Sequence, residues 1–371
     1  MDSSRELDIV VLGAYGYTGR HCVEHIAHNL PTTLKWGIAG RSAQKLESLA
    51  ADLKKDGPDR KAPEILPVQL NDTELETLVR KTKVLLNFVG PYQLYSAPVV
   101  KACANNGTHY IDTERNVFPN GEKEIKEPNL EVVLRRGAGI SGGTAASIIT
   151  SFSNLSLKEL RASNDPYCLS VLKPTAIPPT PISRKLFGAH YVKDLGTVTT
   201  TLPAMCDSAI VHRSSSMMPD LYDRNFYFQE YSKVRNTFIG LAMHIGLGLV
   251  AISLMLPPVR WIAKKSLPKP GQGPSKEDTA RDHVEYRGIG TADPTEPGKK
   301  PIRLMGRLTY RGPAYPMTGM LLAEAAMVLL TSERVGKEIK AGYLTPAMLG
   351  KEYVDRVEKC GVEIETQVLE D

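Results

Sequence analysis

Three glycines stand at a spacing of three near the start of the chain, in the segment VLGAYGYTGR. Gly13, Gly16 and Gly19 follow an apolar run, LDIVVLG, and precede an amphipathic run, YTGRHCVEHIAHN. Between a strand and a helix, such glycines allow a tight turn, close approach of the backbone to a pyrophosphate, and close packing of the helix on the sheet. Because N–H groups at a helix start attract phosphates, the segment predicts a dinucleotide site rather than a turn without a ligand.

The end of the second predicted strand indicates which dinucleotide is bound. Sites selective for NAD place an acidic residue there, on the ribose 2′-hydroxyl, whereas this chain has Arg41 followed by Lys45 one turn later. A guanidinium pairs well with a phosphate, and the G-x-x-G-x-x-G spacing is associated more with NADP-type reductases. The sequence therefore predicts NADP(H), with NAD as the alternative. In the competing interpretation, Arg41 starts the next helix as a solvated residue.

The fourth predicted strand ends in NFVGPY, a turn at the edge of the sheet where ligands bind in doubly wound folds. We expect Gly90 and Pro91 to lie beside the nicotinamide, and Asn87 to bind ribose or amide groups. Tyr92 and Asp112 are the candidates for proton transfer, since both stand near strand ends. For Tyr92, a packing role is an equal alternative. Tyr95, His109 and Glu114 are further candidates of the same kind.

Composition narrows the class of protein. The chain has 371 residues, 42% of them hydrophobic and 23% charged, which is enough for two domains with their own cores. The net charge is +5, but the basic residues do not cluster in a stripe, so no nucleic-acid partner is expected. Five scattered cysteines show no metal-type spacing and no disulfide framework, so no metal is predicted. The polar start of the chain is unlike a signal peptide, and we expect a protein that is not secreted.

The elements that position these residues alternate along residues 1–112. Apolar strands and amphipathic helices follow one another, which predicts an α/β fold with a doubly wound parallel sheet, the Rossmann type. The predicted strands are Asp8–Gly13, Leu34–Ala39, Glu64–Val68, Lys83–Val89 and Thr108–Asp112. The predicted helices are Tyr17–Asn29, Ser42–Lys55, Thr73–Arg80 and Ser96–Asn106.

The remainder of the chain, after residue 112, is predicted to form a connector and a smaller mixed α/β domain. Residues 113–140 are charged and rich in Pro and Gly, with one apolar patch, LEVVL, so we expect a connector with one strand at most. Residues 141–371 then form the second domain. Its predicted elements are a helix from GGTAAS onward, an antiparallel strand pair at His283–Gly290 and Ile302–Tyr310, and a helix at Thr318–Leu330. The segment SLPKPGQGPSKEDTARD has the composition of a flexible loop.

Five segments together resemble the saccharopine dehydrogenase-like oxidoreductases, a family that includes the trans-acting enoyl reductases. The segments are VVLGAYGYTGR, GIAGRSAQKL, LLNFVGPYQLYSAPVVKACANNGTHYID, LPKPGQGPSKED and YPMTGMLLAEAA. The resemblance implies a cofactor-binding Rossmann domain, a lipid or polyketide-type substrate, membrane or lipid-droplet association, and a homodimer through the second sheet. By position it assigns the pyrophosphate to Gly13, Tyr15, Gly16, Tyr17, Thr18 and Gly19, the adenosine to Ala39, Gly40 and Arg41, and the nicotinamide ribose to Asn87, Val89, Gly90 and Pro91.

The chain departs from the family pattern after the strand THYID. Family members continue with a Gly-Glu pair, a helix, a strand and a G-x-[DE]-S-x-P-[SA]-D turn near the nicotinamide. Here the shortened connector leads directly to SGGTAAS, and several dozen residues have no counterpart. The departure leaves the cofactor loop intact, but it removes the turn that family members place near the nicotinamide, so it puts catalytic activity in question.

An apolar run, Thr237–Leu256, contains no charged residue and is flanked on both sides by Lys and Arg. Twenty helical residues extend about 30 Å, the thickness of a bilayer core. Three interpretations compete: a buried helix, a span, and a hydrophobic hairpin or monotopic anchor. We favour the anchor, because Pro257 and Pro258 end the run and His244 lies in its middle. It predicts a membrane-associated protein on the cytosolic face, at a lipid droplet, the endoplasmic reticulum or another membrane.

Two functional hypotheses of different classes follow. The first is an NADP(H)-dependent, membrane-associated oxidoreductase that reduces an enoyl or carbonyl group of a lipid or polyketide-type substrate. The second is a non-catalytic, cofactor-binding protein on a lipid surface that has lost part of its active-site segment. A third is a chain shortened by faulty splicing of the gene model, in which case the function belongs to the longer form.

Overall fold

The computed structural model describes residues 5–56, 61–113, 129–135, 140–154, 156, 158, 159, 162, 164–292, 301–338 and 342–369. The backbone of these residues forms two sheets with helices packed on them. Predicted features at residues 114–128 and 136–139 of the connector lie outside this part of the chain, as does most of the short second helix predicted after GGTAAS.

The first sheet has five parallel strands in the order β3-β2-β1-β4-β5. The order reverses between β1 and β4, which makes their carboxyl ends the switch point where ligands bind in such sheets. The predicted α/β fold with a doubly wound parallel sheet is thereby confirmed, each strand within about two residues of its expected bounds. The strands are β1 (Leu7–Leu12), β2 (Trp36–Gly40), β3 (Glu64–Pro67), β4 (Thr82–Asn87) and β5 (His109–Asp112).

Four helices connect these strands and cover both faces of the sheet. One face carries α1 and α2, and the other carries α3 and α4, each through a stripe of buried apolar side chains. Helix α4 begins a turn earlier than predicted because Pro91, at its N-cap, has a fixed φ that suits a helix start. The helices are α1 (Tyr17–Asn29), α2 (Ala43–Asp56), α3 (Asp72–Lys81) and α4 (Tyr92–Asn105).

The second sheet has seven strands in the order β12-β11-β10-β6-β9-β8-β7. All neighbours are antiparallel except β6 and β9. The predicted pair is confirmed as β10 and β11, and the apolar patch of the connector forms the central strand β6. The strands are β6 (Asn129–Arg135), β7 (His190–Val192), β8 (Gly196–Thr199), β9 (Tyr227–Lys233), β10 (Val284–Ala292), β11 (Ile302–Tyr310) and β12 (Val362–Leu369).

Eight further helices are described in the second half of the chain. They are α5 (Gly142–Asn154), α6 (Ile182–Phe187), α7 (Ala204–Met217), α8 (Thr237–Ser253), α9 (Pro257–Ser266), α10 (Lys276–Thr279), α11 (Ala314–Thr331) and α12 (Lys351–Lys359), and a single 3-10 turn covers Pro346–Leu349. The helix predicted at Thr318–Leu330 is thus confirmed as α11, and the helical part of the apolar run as α8.

Helix α11 belongs to the cores of both sheets. Its later residues, among them Ala323 and Ala326, are buried with α1 and α2 against the first sheet. Its earlier residues Met317 and Met320 pack against the second sheet. At Gly319 the helix meets α1 so closely that a Cβ would lie 2.6 Å from the backbone nitrogen of Cys22. A late segment of the chain therefore completes the early sheet.

One buried carboxylate ties α11 to its neighbours. Glu324, 4% exposed, accepts hydrogen bonds from His25 of α1 at 2.8 Å and from Arg356 of α12 at 2.6 Å. The thiol of Cys360 lies 3.5 Å from the same carboxylate. Burial alone raises the pKa of Glu324, but the hydrogen bond from His25 and the charge of Arg356 outweigh it and lower the pKa. The carboxylate therefore stays charged and joins three helices.

Candidate functional site

The glycine segment forms a closed turn between β1 and α1. Gly13 has φ +81°, a conformation that favours glycine, and its carbonyl accepts from the N–H of Gly16 at 2.8 Å. A Cβ on Gly19 would lie 2.4 Å from that same carbonyl oxygen. The first and third glycines are thus required by the backbone itself, as the sequence predicts for a helix that packs close to the strand.

The start of α1 carries no side-chain cap. Its N-cap residue is Gly16, no side chain accepts a hydrogen bond there, and no acidic residue stands in its first turn. The first N–H groups of a helix lack partners within the helix and carry a partial positive charge. The turn therefore suits a pyrophosphate at Gly16, Tyr17 and Thr18, as an NADP-binding loop requires.

The predicted adenosine residues lie at the end of β2, next to the glycine turn. The carbonyl of Ala39 accepts from the N–H of Gly13 at 2.8 Å, which fixes the two loops together. Arg41 is exposed, and within the described part of the chain its guanidinium has no ion pair or hydrogen bond. Lys45 lies 5.2 Å from the centre of the Tyr15 ring. The end of β2 therefore carries an open basic patch, and its contact with a 2′-phosphate stays a prediction.

The predicted nicotinamide residues lie at the end of β4, in contact with the glycine turn. A Cβ on Gly13 would lie 3.0 Å from the backbone of Phe88, so the loops after β1 and β4 touch. Asn87 is fully buried; its side chain accepts from the N–H of Val89 at 3.0 Å and donates to the Tyr110 hydroxyl at 3.0 Å. Asn87 therefore acts on the turn through Val89, holding the backbone that leads to Gly90 and Pro91.

The two candidates for proton transfer lie in one network beside this turn. Tyr92 is buried, and its hydroxyl donates to the carbonyl of Asn87 at 3.1 Å and lies 2.9 Å from the Thr113 hydroxyl. Asp112 accepts from the Tyr110 hydroxyl at 2.5 Å. Burial, and next the charge of Asp112, raise the pKa of Tyr110, so that phenol stays protonated. These contacts build the wall of the site, and the catalytic role of Tyr92 and Asp112 stays a prediction.

Helix α5, which the sequence predicted only as a helix, lies against the turn after β4. A Cβ on Gly90 would lie 3.8 Å from the hydroxyl oxygen of Ser147, and Gln93 donates to Ser151 at 3.0 Å. Tyr315, at the start of α11, accepts from the N–H of Ser141 at 2.6 Å. Residues that follow the first sheet in the chain therefore border the predicted nicotinamide end. The glycines in SGGTAAS do not mark this approach, since Gly142 is crowded by Lys269 instead.

Residues 267–275, here named the strap, cover the first turn of α1. The hydroxyl of Tyr17 donates to the carbonyl of Pro274 at 2.7 Å, and a Cβ on Gly273 would lie 2.5 Å from the Tyr17 ring. At the other side of the strap, the N–H of Gly142 donates to the carbonyl of Gln272 at 2.8 Å. The prediction of a flexible loop was therefore wrong for this part, since these close contacts hold the strap in place.

Helices α8 and α9, here named the bent pair, meet at an angle of 108°. Only Gly240 of α8 is buried, and α9 has no buried residue. Large apolar side chains are exposed along both helices, including Phe238 at 78%, Leu249 at 62% and Trp261 at 60%. The interpretation as a buried helix was therefore wrong. The two helices diverge across the surface instead of running antiparallel.

Two polar residues of the bent pair, His244 and Arg260, face the protein. His244 contacts the Thr200 hydroxyl at 2.8 Å, and Gly240 packs on Ala189. Arg260 donates to the carbonyls of Leu254, Met255 and Phe152, which ties the bend to α5. By length and composition, the bent pair and α11 are the segments of the described chain that could cross a membrane, but α11 is mostly buried. The bent pair thus lies on the protein surface with its apolar side outward.

The chain is similar to known proteins over most of its length. The family model of the saccharopine dehydrogenase NADP-binding domain matches residues 9–134. A trans-acting enoyl reductase of Mycobacterium leprae is 26% identical over 98% of both chains, and a similarly named relative from Mycobacterium tuberculosis is 28% identical over 98% of both chains. Apo saccharopine dehydrogenase from Saccharomyces cerevisiae aligns with 98% of this chain and 100% of its own, at 11% identity and a TM-score of 0.49.

The alignment with the M. tuberculosis relative extends over 425 residues, more than the 371 of this chain. That relative therefore has several dozen residues without a counterpart here, as the departure from the family pattern led us to expect. The glycine turn, the open basic end of β2 and the turn after β4 all lie within residues 9–134. Residues 9–134 thus match the NADP-binding domain of the saccharopine dehydrogenase family, and the chain is similar over almost its whole length to the trans-acting enoyl reductases.

Proposed function

We propose that the chain is an NADPH-dependent reductase that acts on an enoyl or carbonyl group of a lipid or polyketide-type acyl substrate at a membrane or lipid-droplet surface. The observation that carries the proposal is the combination of a dinucleotide turn with an exposed apolar helix pair in one structure. The names of the relatives, which describe enoyl reductases, support the reaction class.

At the nicotinamide end, bound NADPH would supply the hydride, and Tyr92 and Asp112 are the candidates that would supply the proton. Asn87 holds the backbone at Val89, and Ser147 of α5 borders the turn at Gly90, so these two residues would form walls of the site. Walls of this kind exclude water and keep the reacting atoms in place.

The bent pair supports a monotopic contact with the membrane. Its outer side exposes Leu249, Ile252 and Trp261, while His244 and Arg260 are bound on the inner side. A full span would place the inner side and its polar groups in lipid, which is costly. We therefore place the pair in one leaflet, parallel to the surface, on the cytosolic face.

The cofactor preference is tested at Arg41. In the variant Arg41→Ala the affinity for NADPH should fall by about tenfold or more, since a charged hydrogen bond is lost, while the affinity for NADH should stay the same. The matched control is Arg311→Ala, a guanidinium that is 86% exposed on the second sheet. Equal loss for both cofactors, or no loss, would contradict the assignment of the 2′-phosphate to Arg41.

Membrane contact is tested on the outer side of the bent pair. Leu249→Gln with Ile252→Gln should move the protein from floating phosphatidylcholine vesicles to the soluble fraction, because two exposed apolar groups leave the leaflet. The control is Val368→Gln, which is 60% exposed on β12, at the far end of the sheet from β8. If the double variant floats as well as the wild type, the bent pair is not the anchor.

Turnover distinguishes the enzyme from a non-catalytic cofactor-binding protein. The full chain should oxidise NADPH with medium-chain enoyl and keto thioesters, and the activity should disappear in Gly19→Ala. NADPH binding without any turnover across that panel would favour the non-catalytic alternative, for which the residues missing relative to the M. tuberculosis relative give a reason.

A further inference from the structure

A cavity of about 750 Å³ lies between the end of the bent pair and the dinucleotide turn. It adjoins the turn after β1 through Tyr17, a predicted pyrophosphate residue, but its other lining residues belong neither to the dinucleotide turns nor to the apolar side of the bent pair. Its walls come from the last residues of α9, the strap, and one side chain of α1. The lining residues are Tyr17, Lys265, Ser266, Leu267, Pro268, Lys269, Gly271, Gln272 and Gly273.

The inner wall of this cavity is held by fixed contacts. The Tyr17 ring packs on the strap at Gly273 and on Tyr315 at 5.1 Å between ring centres. On the opposite side, a Cβ on Gly142 would lie 1.9 Å from the carbonyl oxygen of Lys269, so only glycine allows this approach. The cavity is thus a built feature of the fold, with the strap fastened on two sides.

The outer wall is positively charged. Lys265 and Lys269 line the cavity, and no acidic residue does. The surrounding chain has the same bias: residues 231–276 hold seven bases (Lys233, Arg235, Arg260, Lys264, Lys265, Lys269 and Lys276) and no Asp or Glu. Such a surface attracts anions and is complementary to the negative face of a membrane.

The cavity also lies at the depth where head groups are found. The ammonium of Lys265 sits 3.7 Å from the centre of the Trp261 ring, and Trp261 and Ile262 are exposed beside it. Tryptophan prefers the interface between acyl chains and head groups. With the apolar side of the bent pair in one leaflet, the cavity therefore opens at the level of the lipid phosphates.

We propose that this cavity binds the phosphate head group of an anionic phospholipid, so that the protein recognises a charged lipid in addition to the apolar leaflet. The inference rests on the membrane contact proposed above. The lysines supply the charge, and the strap, fastened to Tyr17, ties the bound lipid to the first turn of the cofactor helix. The lipid thereby fixes which side of the protein faces the membrane.

The experiment compares vesicles of pure phosphatidylcholine with vesicles containing one-fifth phosphatidylserine, using the full chain. The wild type should bind the anionic vesicles more tightly. Lys265→Gln with Lys269→Gln should lose about 30-fold in affinity for anionic vesicles, as expected for two lysines near a charged surface, and nothing for neutral ones. The control is Lys101→Gln with Lys351→Gln, which removes equal charge from sites that are 68% and 84% exposed.

The outcomes test the head-group site and the membrane contact separately. Equal binding of the wild type to both vesicles overturns the head-group site but leaves the membrane contact intact, whereas no binding to either vesicle overturns both. An equal loss in the control variant shows diffuse charge in place of a site. A loss of NADPH affinity in Lys265→Gln with Lys269→Gln would overturn the proposal by assigning the cavity to the dinucleotide. Tight binding of inorganic phosphate alone would overturn it too, because the ligand would then be free phosphate and not a lipid head group.

Discussion

His212 gives the structure a specific dependence on pH. It lies on α7, 1% exposed, with its Nδ1 2.7 Å from the carbonyl of Ser208 and its Nε2 accepting from the N–H of Phe228 at 3.1 Å. One ring nitrogen donates and the other accepts, so the imidazole is neutral in the folded chain. Burial is the main cause that lowers the pKa of His212 to about 4.

The sign of the effect follows from proton binding. Between pH 6.5 and 4 the unfolded chain holds a proton on this ring and the folded chain does not, so stability falls as the pH is lowered through this window. Linkage with pKa values of 6.5 and about 4 gives a free energy of unfolding that is about 1 kcal/mol lower at pH 5.5 than at pH 7.5. The contribution is fully present above pH 6.5.

The measurement is urea unfolding of the wild type and of His212→Gln at pH 7.5 and 5.5. The variant retains an acceptor near the N–H of Phe228 but cannot titrate, so its loss of stability between the two pH values should be smaller by about 1 kcal/mol. Other histidines contribute equally to both proteins and cancel in the difference. An identical pH dependence for wild type and variant would refute the neutral, buried imidazole.

Three further changes test the cofactor turn and the shared helix. Gly19→Ala should reduce NADPH affinity more than a hundredfold, since its Cβ would lie 2.4 Å from a carbonyl oxygen, whereas Gly246→Ala, with open space around it, should not change the affinity in the same titration. Asn87→Ala should weaken NADPH binding about tenfold and lower the free energy of unfolding by about 1 to 3 kcal/mol, because the partly buried N–H of Val89 loses its acceptor. Unchanged affinity would mean that the turn holds its shape without the Asn87 side chain. Glu324→Ala should cost about 3 kcal/mol in urea unfolding because it removes a buried carboxylate that binds both His25 and the partly exposed guanidinium of Arg356. Asp355→Ala, from an exposed pair, should cost less than about 1 kcal/mol.

The first sheet and its cofactor turn could be predicted because local signals agree there. Apolar runs give the strands, and Gly13 and Gly19 are required by the backbone, one by its positive φ and one by a carbonyl 2.4 Å from its Cβ position. The role of Arg41, inferred from the absence of an acid at one known position, stays a prediction. The signals for the strands and for the turn each lie within a short stretch of chain, where the spacing of residues alone determines the local geometry.

The rest depends on contacts between distant segments, which spacing does not reveal. Ser147 reaches the turn at Gly90, and Pro274 reaches Tyr17, across 57 and 257 positions of chain. The composition of the strap indicated flexibility because proline and glycine are typical of loops, but the same residues also allow close packing. The hydroxyl of Tyr92 could not be assigned to its buried partners before the fold was known.

The shared helix has a consequence for how the chain is made. Residues 7–112 supply all five strands of the first sheet, but one face of that sheet stays incomplete until α11, ending at Thr331, has been synthesised. At 5–20 residues per second, the interval is about 10 to 40 seconds. During that time the apolar face of α1 that packs on α11 is exposed, so we expect a chaperone to bind the nascent domain. A fragment that ends after β5 should therefore aggregate when expressed alone, whereas the full chain buries that face within itself.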